Sequence, residues 1–129
     1  MKRLNKISSK LAYQNGFEKE AKILGDFFDV DYRTIELTKE DYLVIPDFDS
    51  YPNIFEISTI DDFCDINGDA SLADSFDNDF LNKLNLDNDY DWKGFIDYVK
   101  SHGGEQVMSE DYYYKIYIDG NYVISQFEY

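Results

Sequence analysis

Tyr112-Tyr113-Tyr114-Lys115-Ile116-Tyr117-Ile118, then Asp119-Gly120, then Asn121-Tyr122-Val123-Ile124-Ser125-Gln126-Phe127, is the stretch on which the fold class turns. Both runs are rich in aromatic and β-branched residues, which pack well on a pleated surface, and the dipeptide between them favours a tight turn. A C-terminal β-hairpin follows. A two-residue loop at Asp119-Gly120 sets Ile116 opposite Val123 and Tyr112 opposite Phe127 on one face, and Tyr117 opposite Tyr122 on the other.

Upstream of the hairpin, Trp92, Phe95, Ile96 and Val99 recur at i, i+3, i+4 and i+7, with Asp89 or Asp91 as N-cap and Gly103-Gly104 just past the end. This spacing predicts an amphipathic helix. Leu72, Phe76, Phe80 and Leu84 at i+4 steps predict another, with Asp74, Asp77, Asn78 and Lys83 on its far side. Three β-prone runs precede these helices: Arg33 to Leu37, Tyr42 to Ile45, and Ile54 to Ile57. Pro46 and Pro52 confine the residues between the last two to an irregular loop. At the start, Leu4, Ile7 and Leu11, then Phe17, Ala21, Leu24 and Phe28, predict two helical stretches broken at Asn15-Gly16. The order is helix, three strands, two or three helices, two strands. It predicts an α+β fold: one domain over residues 1–129, with a largely antiparallel sheet of about five strands and helices packed on one side.

The 129 residues are 43% hydrophobic, with 10 Phe and 12 Tyr, enough for a core without covalent staples. Cys64 is the one cysteine, so no disulfide forms within the chain, and a reducing compartment is expected. Its neighbours Asp61, Asp62 and Asp65 disfavour a thiolate, so Cys64 reads as a small buried hydrophobe. After Met1-Lys2-Arg3 the chain continues through Asn5, Lys6, Ser8, Ser9 and Lys10, which is not a secretory signal, and no apolar run is long enough to span a bilayer. A cytoplasmic location is expected.

Charge is the outstanding property. With 27 acids and 12 bases the formal net charge is −15, which excludes direct binding to nucleic acid or an anionic membrane and calls for a basic partner. Residues 1–24 hold six bases and two acids, whereas residues 25–129 hold six bases and 25 acids, so the basic start is expected to be attracted to the acidic body.

Residues that carry chemistry are sparse. The single histidine, His102, sits in Ser101-His102-Gly103-Gly104 and reads as a solvent-facing residue at a helix C-terminus. One His and one Cys leave a structural zinc site without ligands. Asp87, Asp89 and Asp91 alternate as in the first half of an EF-hand loop, but Trp92 stands where the turn needs Gly and Tyr98 where a bidentate Glu belongs. Asp65-Ile66-Asn67-Gly68-Asp69 fails in the same way, because aligning Gly68 puts Phe63 at the first ligand position. No phosphate-binding glycine loop is present, and among 27 acids no pair stands out for acid–base work. No enzyme activity, cofactor or metal is expected.

The candidate site is the acidic stretch 61–91. It carries ten aspartates, Asp61, Asp62, Asp65, Asp69, Asp74, Asp77, Asp79, Asp87, Asp89 and Asp91, against one base, Lys83. Phe63, Leu72, Phe76, Phe80, Leu84 and Leu86 occur within it at core-like spacing, so the stretch is expected to fold and hold its charges in place. Carboxylates three or four residues apart on a helix have Cβ atoms roughly 5–6 Å apart, of the order of the spacing between neighbouring phosphates. Tyr51, Tyr90, Tyr113 and Tyr117 are either packing residues or interface anchors. An acidic surface also serves solubility, yet self-repulsion on so small a domain costs stability that solubility alone does not demand.

In its small size, acidity, tyrosine content and lack of catalytic motifs, the chain resembles the DNA-mimicking inhibitors that phages and mobile elements use against restriction or CRISPR nucleases. The resemblance is one of class, without a shared motif. It implies an anti-restriction or anti-CRISPR inhibitor in the host cytoplasm, whose partner is a basic nucleic-acid-binding nuclease or effector complex. The alternative is an immunity protein or antitoxin that neutralises one basic toxin.

Overall fold

The computed structural model describes residues 10–49, 51–66, 92–109 and 113–128. Their strands are β1 (Lys10–Leu11), β2 (Glu36–Leu37), β3 (Leu43–Val44), β4 (Ile54–Thr59), β5 (Glu105–Ser109), β6 (Tyr114–Asp119) and β7 (Tyr122–Phe127). Their helices are α1 (Glu18–Phe28), α2 (Ile60–Ile66) and α3 (Trp92–Ser101), with single 3-10 turns at Ala12–Gln14 and Tyr32–Thr34. The strands form one antiparallel sheet in the order β1-β2-β3-β4-β7-β6-β5. The α+β class and the C-terminal hairpin therefore stand. The five expected strands are present, and β1 and β5 join them.

By their contacts the residues fall into two compact units, each drawn from separate segments. One comprises Met1–Ile57, Val107–Ile116 and Ile124–Tyr129, the other Ser58–Gln106 and Tyr117–Val123. In the first unit Ala21 and Leu24 of α1 are fully buried, as are Ile35, Leu37, Val44, Phe55, Ile116 and Ile124. The Phe28 ring meets Phe48 and Phe55, each at 5.1 Å between centroids, so the end of α1, the loop after β3 and the start of β4 share one aromatic contact. In the second unit Phe63 and Cys64 of α2 are buried, as are Trp92, Phe95, Ile96 and Val99 of α3. The Phe63 ring stands edge-on to Trp92 at 6.0 Å. Cys64 is thus the buried hydrophobe its neighbours implied.

Four local readings change. Leu11 continues no helix, because Lys10 and Leu11 pair with Leu37 and Glu36, and the Ala12 N–H donates to Ile35 O at 2.9 Å. Long-range pairing outweighs the short apolar period there; Leu4 and Ile7 lie outside the described residues.

The strand expected from Arg33 begins only after Thr34. Asp31 accepts from the Arg33 N–H at 3.0 Å, binds its guanidinium through both carboxylate oxygens, and bends the chain into a 3-10 turn.

The hairpin turns at Gly120-Asn121 instead of Asp119-Gly120. Gly120 has φ +59° at the first central position, which a glycine adopts freely. The Glu128 N–H donates to Tyr113 O at 3.2 Å, so these two residues are opposite, and counting inward sets Asp119 against Tyr122. This register differs from the expected one by two residues, which moves every pair but leaves each side chain on its face. The surroundings differ too. Val123, Ile124, Ser125 and Gln126 are consecutively buried, so β7 is covered on both faces, as befits its interior place in the sheet.

Finally, α2 was not anticipated. It starts where the Thr59 side chain accepts from the Asp62 N–H at 3.1 Å, an N-cap encoded in Thr59-Ile60-Asp61-Asp62. The helix expected over Leu72 to Leu84 lies outside the described residues. α3 forms where its period placed it, closed by hydrogen bonds from the His102 and Gly104 N–H groups to Val99 O at 3.1 and 2.8 Å.

Candidate functional site

Three of the ten expected site aspartates, Asp61, Asp62 and Asp65, are described, and α2 carries all three exposed to solvent. Their sequence spacing puts Asp61 and Asp65 one helical turn apart. Asp61 and Asp62 also lie in the first turn of α2, where the helix dipole favours negative charge. They therefore stabilise their own helix in addition to any role at an interface. Asp61 Oδ1 is 3.2 Å from Lys93 Nζ of α3, a contact that raises the Lys93 pKa chiefly through this hydrogen bond. Both partners are highly exposed, so the pair is solvent-screened and readily exchanged for another cation. Asp65 makes no ion pair with a described residue. Asp69, Asp74, Asp77, Asp79, Asp87, Asp89 and Asp91 lie outside the described residues.

The acidic interval of the sequence begins before the stretch that opens at Asp61. Between Lys39 and Lys83 the sequence has no Lys, Arg or His and has twelve acids, beginning at Glu40. The signal for these further acids is the absence of any base over residues 40–82, the longest such interval in the sequence. The interval includes Asp47 and Asp49, both exposed on the loop after β3.

That loop is held at both ends by buried amides. Asn53 Nδ2 donates to Ile45 O at 3.0 Å, and Gln126 Nε2, on a residue only 1% exposed, donates to Pro52 O at 2.6 Å. Between these anchors Phe48 turns into the aromatic contact with Phe28 and Phe55, leaving the flanking aspartates outside.

The tyrosines divide. Tyr117 is buried and serves packing, Tyr113 is half-buried, and Tyr90 lies outside the described residues. Tyr51 is 60% exposed, and its hydroxyl donates to Glu128 Oε1 at 3.0 Å; that bond is the main reason its pKa is raised.

Of the N-terminal bases, Lys10 pairs with the acidic body, whereas Lys22 pairs within its own helix. Lys10 Nζ lies 2.9 Å from Asp41 Oδ1, and Lys22 Nζ lies 3.5 Å from Glu18 Oε2. His102 is exposed at the C-terminal end of α3. Its ring stacks on Tyr98 at 4.0 Å, and Nδ1 lies 2.8 Å from Tyr98 O and 3.0 Å from Ser101 Oγ. Among the described residues no group of three or more His, Cys, Asp or Glu side chains is placed to hold a metal ion, and no helix is long and apolar enough to cross a membrane. No protein family, curated protein or solved structure matches this chain.

Proposed function

We propose that this protein acts by binding, as an acidic inhibitor that presents carboxylates in place of nucleic-acid phosphates. It blocks the DNA- or RNA-binding groove of a defence nuclease, in the manner of the anti-restriction and anti-CRISPR proteins of phages and mobile elements, in the cytoplasm of the host cell. The observation that carries this reading is the net charge of −15 on 129 residues, concentrated in an interval of twelve acids without a base. A groove built for phosphates is lined by Lys and Arg, and it accepts a fixed array of carboxylates through the same charge-assisted hydrogen bonds.

Preorganisation supports the reading. Asp61, Asp62 and Asp65 are displayed by a helix, and Asp47 and Asp49 by a loop anchored through Asn53 and Gln126, so little conformational entropy is lost when a partner docks. Electrostatic attraction then sets the association rate, and exposed aromatics such as Tyr51 set the residence time.

The test is substitution of two sets of aspartates by asparagine, Asp61 with Asp62 and Asp65, and Asp74 with Asp77 and Asp79, read by capture of partners from a host lysate. Loss of a captured nucleic-acid-processing enzyme, with the far-UV spectrum unchanged, supports the proposal. Undiminished capture by both variants contradicts it, and capture of a single toxin that binds no nucleic acid replaces it with an immunity role.

A further inference from the structure

Asn15-Gly16 interrupts the N-terminal apolar period, and the proposed function makes no use of it. The pair closes the Ala12–Gln14 turn. The Asn15 N–H donates to Ala12 O at 3.1 Å, the Phe17 N–H donates to the same oxygen at 3.0 Å, and Asn15 Nδ2 donates to Leu11 O at 2.6 Å. Both Asn15 and Gly16 are exposed. The Gly16 N–H donates to no described acceptor and belongs to an exposed residue, so solvent base reaches this peptide nitrogen.

We propose that Asn15-Gly16 is a site of spontaneous deamidation, gated by opening of the turn that contains it. The reaction needs only water and a base from solvent. The Gly16 peptide nitrogen gives up its proton and attacks Asn15 Cγ, forming an N–Cγ bond. The tetrahedral adduct breaks its Cγ–Nδ2 bond and expels ammonia, which carries away the proton, leaving a five-membered cyclic imide. Water then adds to either imide carbonyl and breaks its bond to the ring nitrogen, giving aspartate or isoaspartate at position 15. The net change is amide plus water to acid plus ammonia, with no oxidation or reduction.

The gate follows from the geometry. Asn15 has φ −127° and ψ 31°, which turns the Gly16 nitrogen away from Cβ, whereas ring closure needs that nitrogen swung round beside Cγ. That rotation breaks the Phe17 N–H bond to Ala12 O, and the Nδ2 bond to Leu11 O holds the side-chain amide away from the attacking nitrogen. An exposed turn of this kind opens locally at a lower free energy than the whole domain unfolds. Once formed, aspartate at position 15 cannot donate to Leu11 O and sets a carboxylate against that carbonyl, so the product loosens the join between β1 and α1.

The full chain is incubated at neutral and mildly alkaline pH, in native buffer and in urea, and the tryptic peptide Leu11–Lys19 is followed by mass spectrometry with isoaspartate detection. This peptide separates Asn15 from the other Asn-Gly pair, Asn67-Gly68. Conversion to both acids is expected in urea, faster at the higher pH, and slower by at least about tenfold in the native chain, where opening must come first. Equal rates in the two states overturn the gate, and no conversion at Asn15 in urea overturns the site. The variant Asn15→Asp, which carries the product charge, is expected to unfold at a lower urea concentration than the parent; an unchanged midpoint overturns the loosening.

Discussion

Gln126 and Thr59 show how single polar side chains fix the surfaces that display the acids. Gln126 is buried on β7, and its amide is the donor to Pro52 O. Replacing it with Leu leaves that carbonyl without this donor, and losing a buried partner costs about 1–3 kcal/mol. Urea unfolding of Gln126→Leu is therefore expected to shift to lower denaturant; an unchanged midpoint would show that the loop does not depend on this bond. Thr59 caps α2. Thr59→Ala is expected to cost about 1 kcal/mol through loss of that cap, with exchange protection reduced first at the amides of α2.

Tyr114 gives a pH dependence at the same scale. Burial raises its pKa, which the hydrogen bond with Ser125 partly opposes. Because the folded state holds this proton more tightly than the unfolded chain, its contribution is fully present below the ordinary tyrosine value and is lost as pH rises through the raised folded value. Alkaline unfolding should consequently be less steep in Tyr114→Phe than in the parent. Identical alkaline limbs would remove Tyr114 from the account.

Elements succeed or fail in the sequence according to how local their determinants are. α3 was legible because Trp92, Phe95, Ile96 and Val99 all face the interior of one unit. The hairpin was legible because its two runs are adjacent, although the choice between Asp119-Gly120 and Gly120-Asn121 rests on backbone geometry that composition does not specify. β1, two residues long, exists only through its pairing with β2, which no local period encodes. β5 is five residues long, but its Glu105-Gln106-Val107-Met108-Ser109 carries little alternation. The cap at Thr59 and the Asp31–Arg33 turn are local signals, each set by one polar side chain within three residues of its partner.

The α1 element supplies a further test. A Cβ on Gly25 would lie 2.7 Å from Val30 O and 3.2 Å from Tyr32 N, since the chain folds back across the helix there. Alanine is the better helix former by about 1 kcal/mol, but forcing an atom into a packed contact costs about 1–3 kcal/mol. Gly25→Ala is expected to be net destabilising in urea titration; a stabilised variant would show that the backbone contact yields at little cost.

For the molecule as a whole, charge dominates. Fifteen uncompensated negative charges repel one another, and salt screens that repulsion over a Debye length of about 10 Å at 0.1 M. The melting temperature is therefore expected to rise with sodium chloride from low to physiological ionic strength. A fall would mean that attractive pairs such as Lys10–Asp41 outweigh the net charge.

The candidate site was legible as a composition, and its placement was only partly so. Exposure of Asp61, Asp62 and Asp65 follows from the apolar positions Phe63 and Cys64 beside them, whereas the pairing of Asp61 with Lys93 depends on how α2 meets α3. The contribution of Asp47 and Asp49 depends on amides distant in sequence, Gln126 above all, which no reading of residues 46–52 could supply.

The central claim is that the protein occupies a groove made for nucleic acid, and competition tests it most directly. A partner captured on the immobilised chain at physiological salt is challenged with its own nucleic-acid substrate, and separately with high salt. The account predicts that substrate displaces the partner in proportion to its affinity, that salt weakens capture, and that the free chain inhibits the partner's nuclease activity competitively. A partner that binds the chain and its nucleic acid at the same time, with undiminished activity, would contradict it.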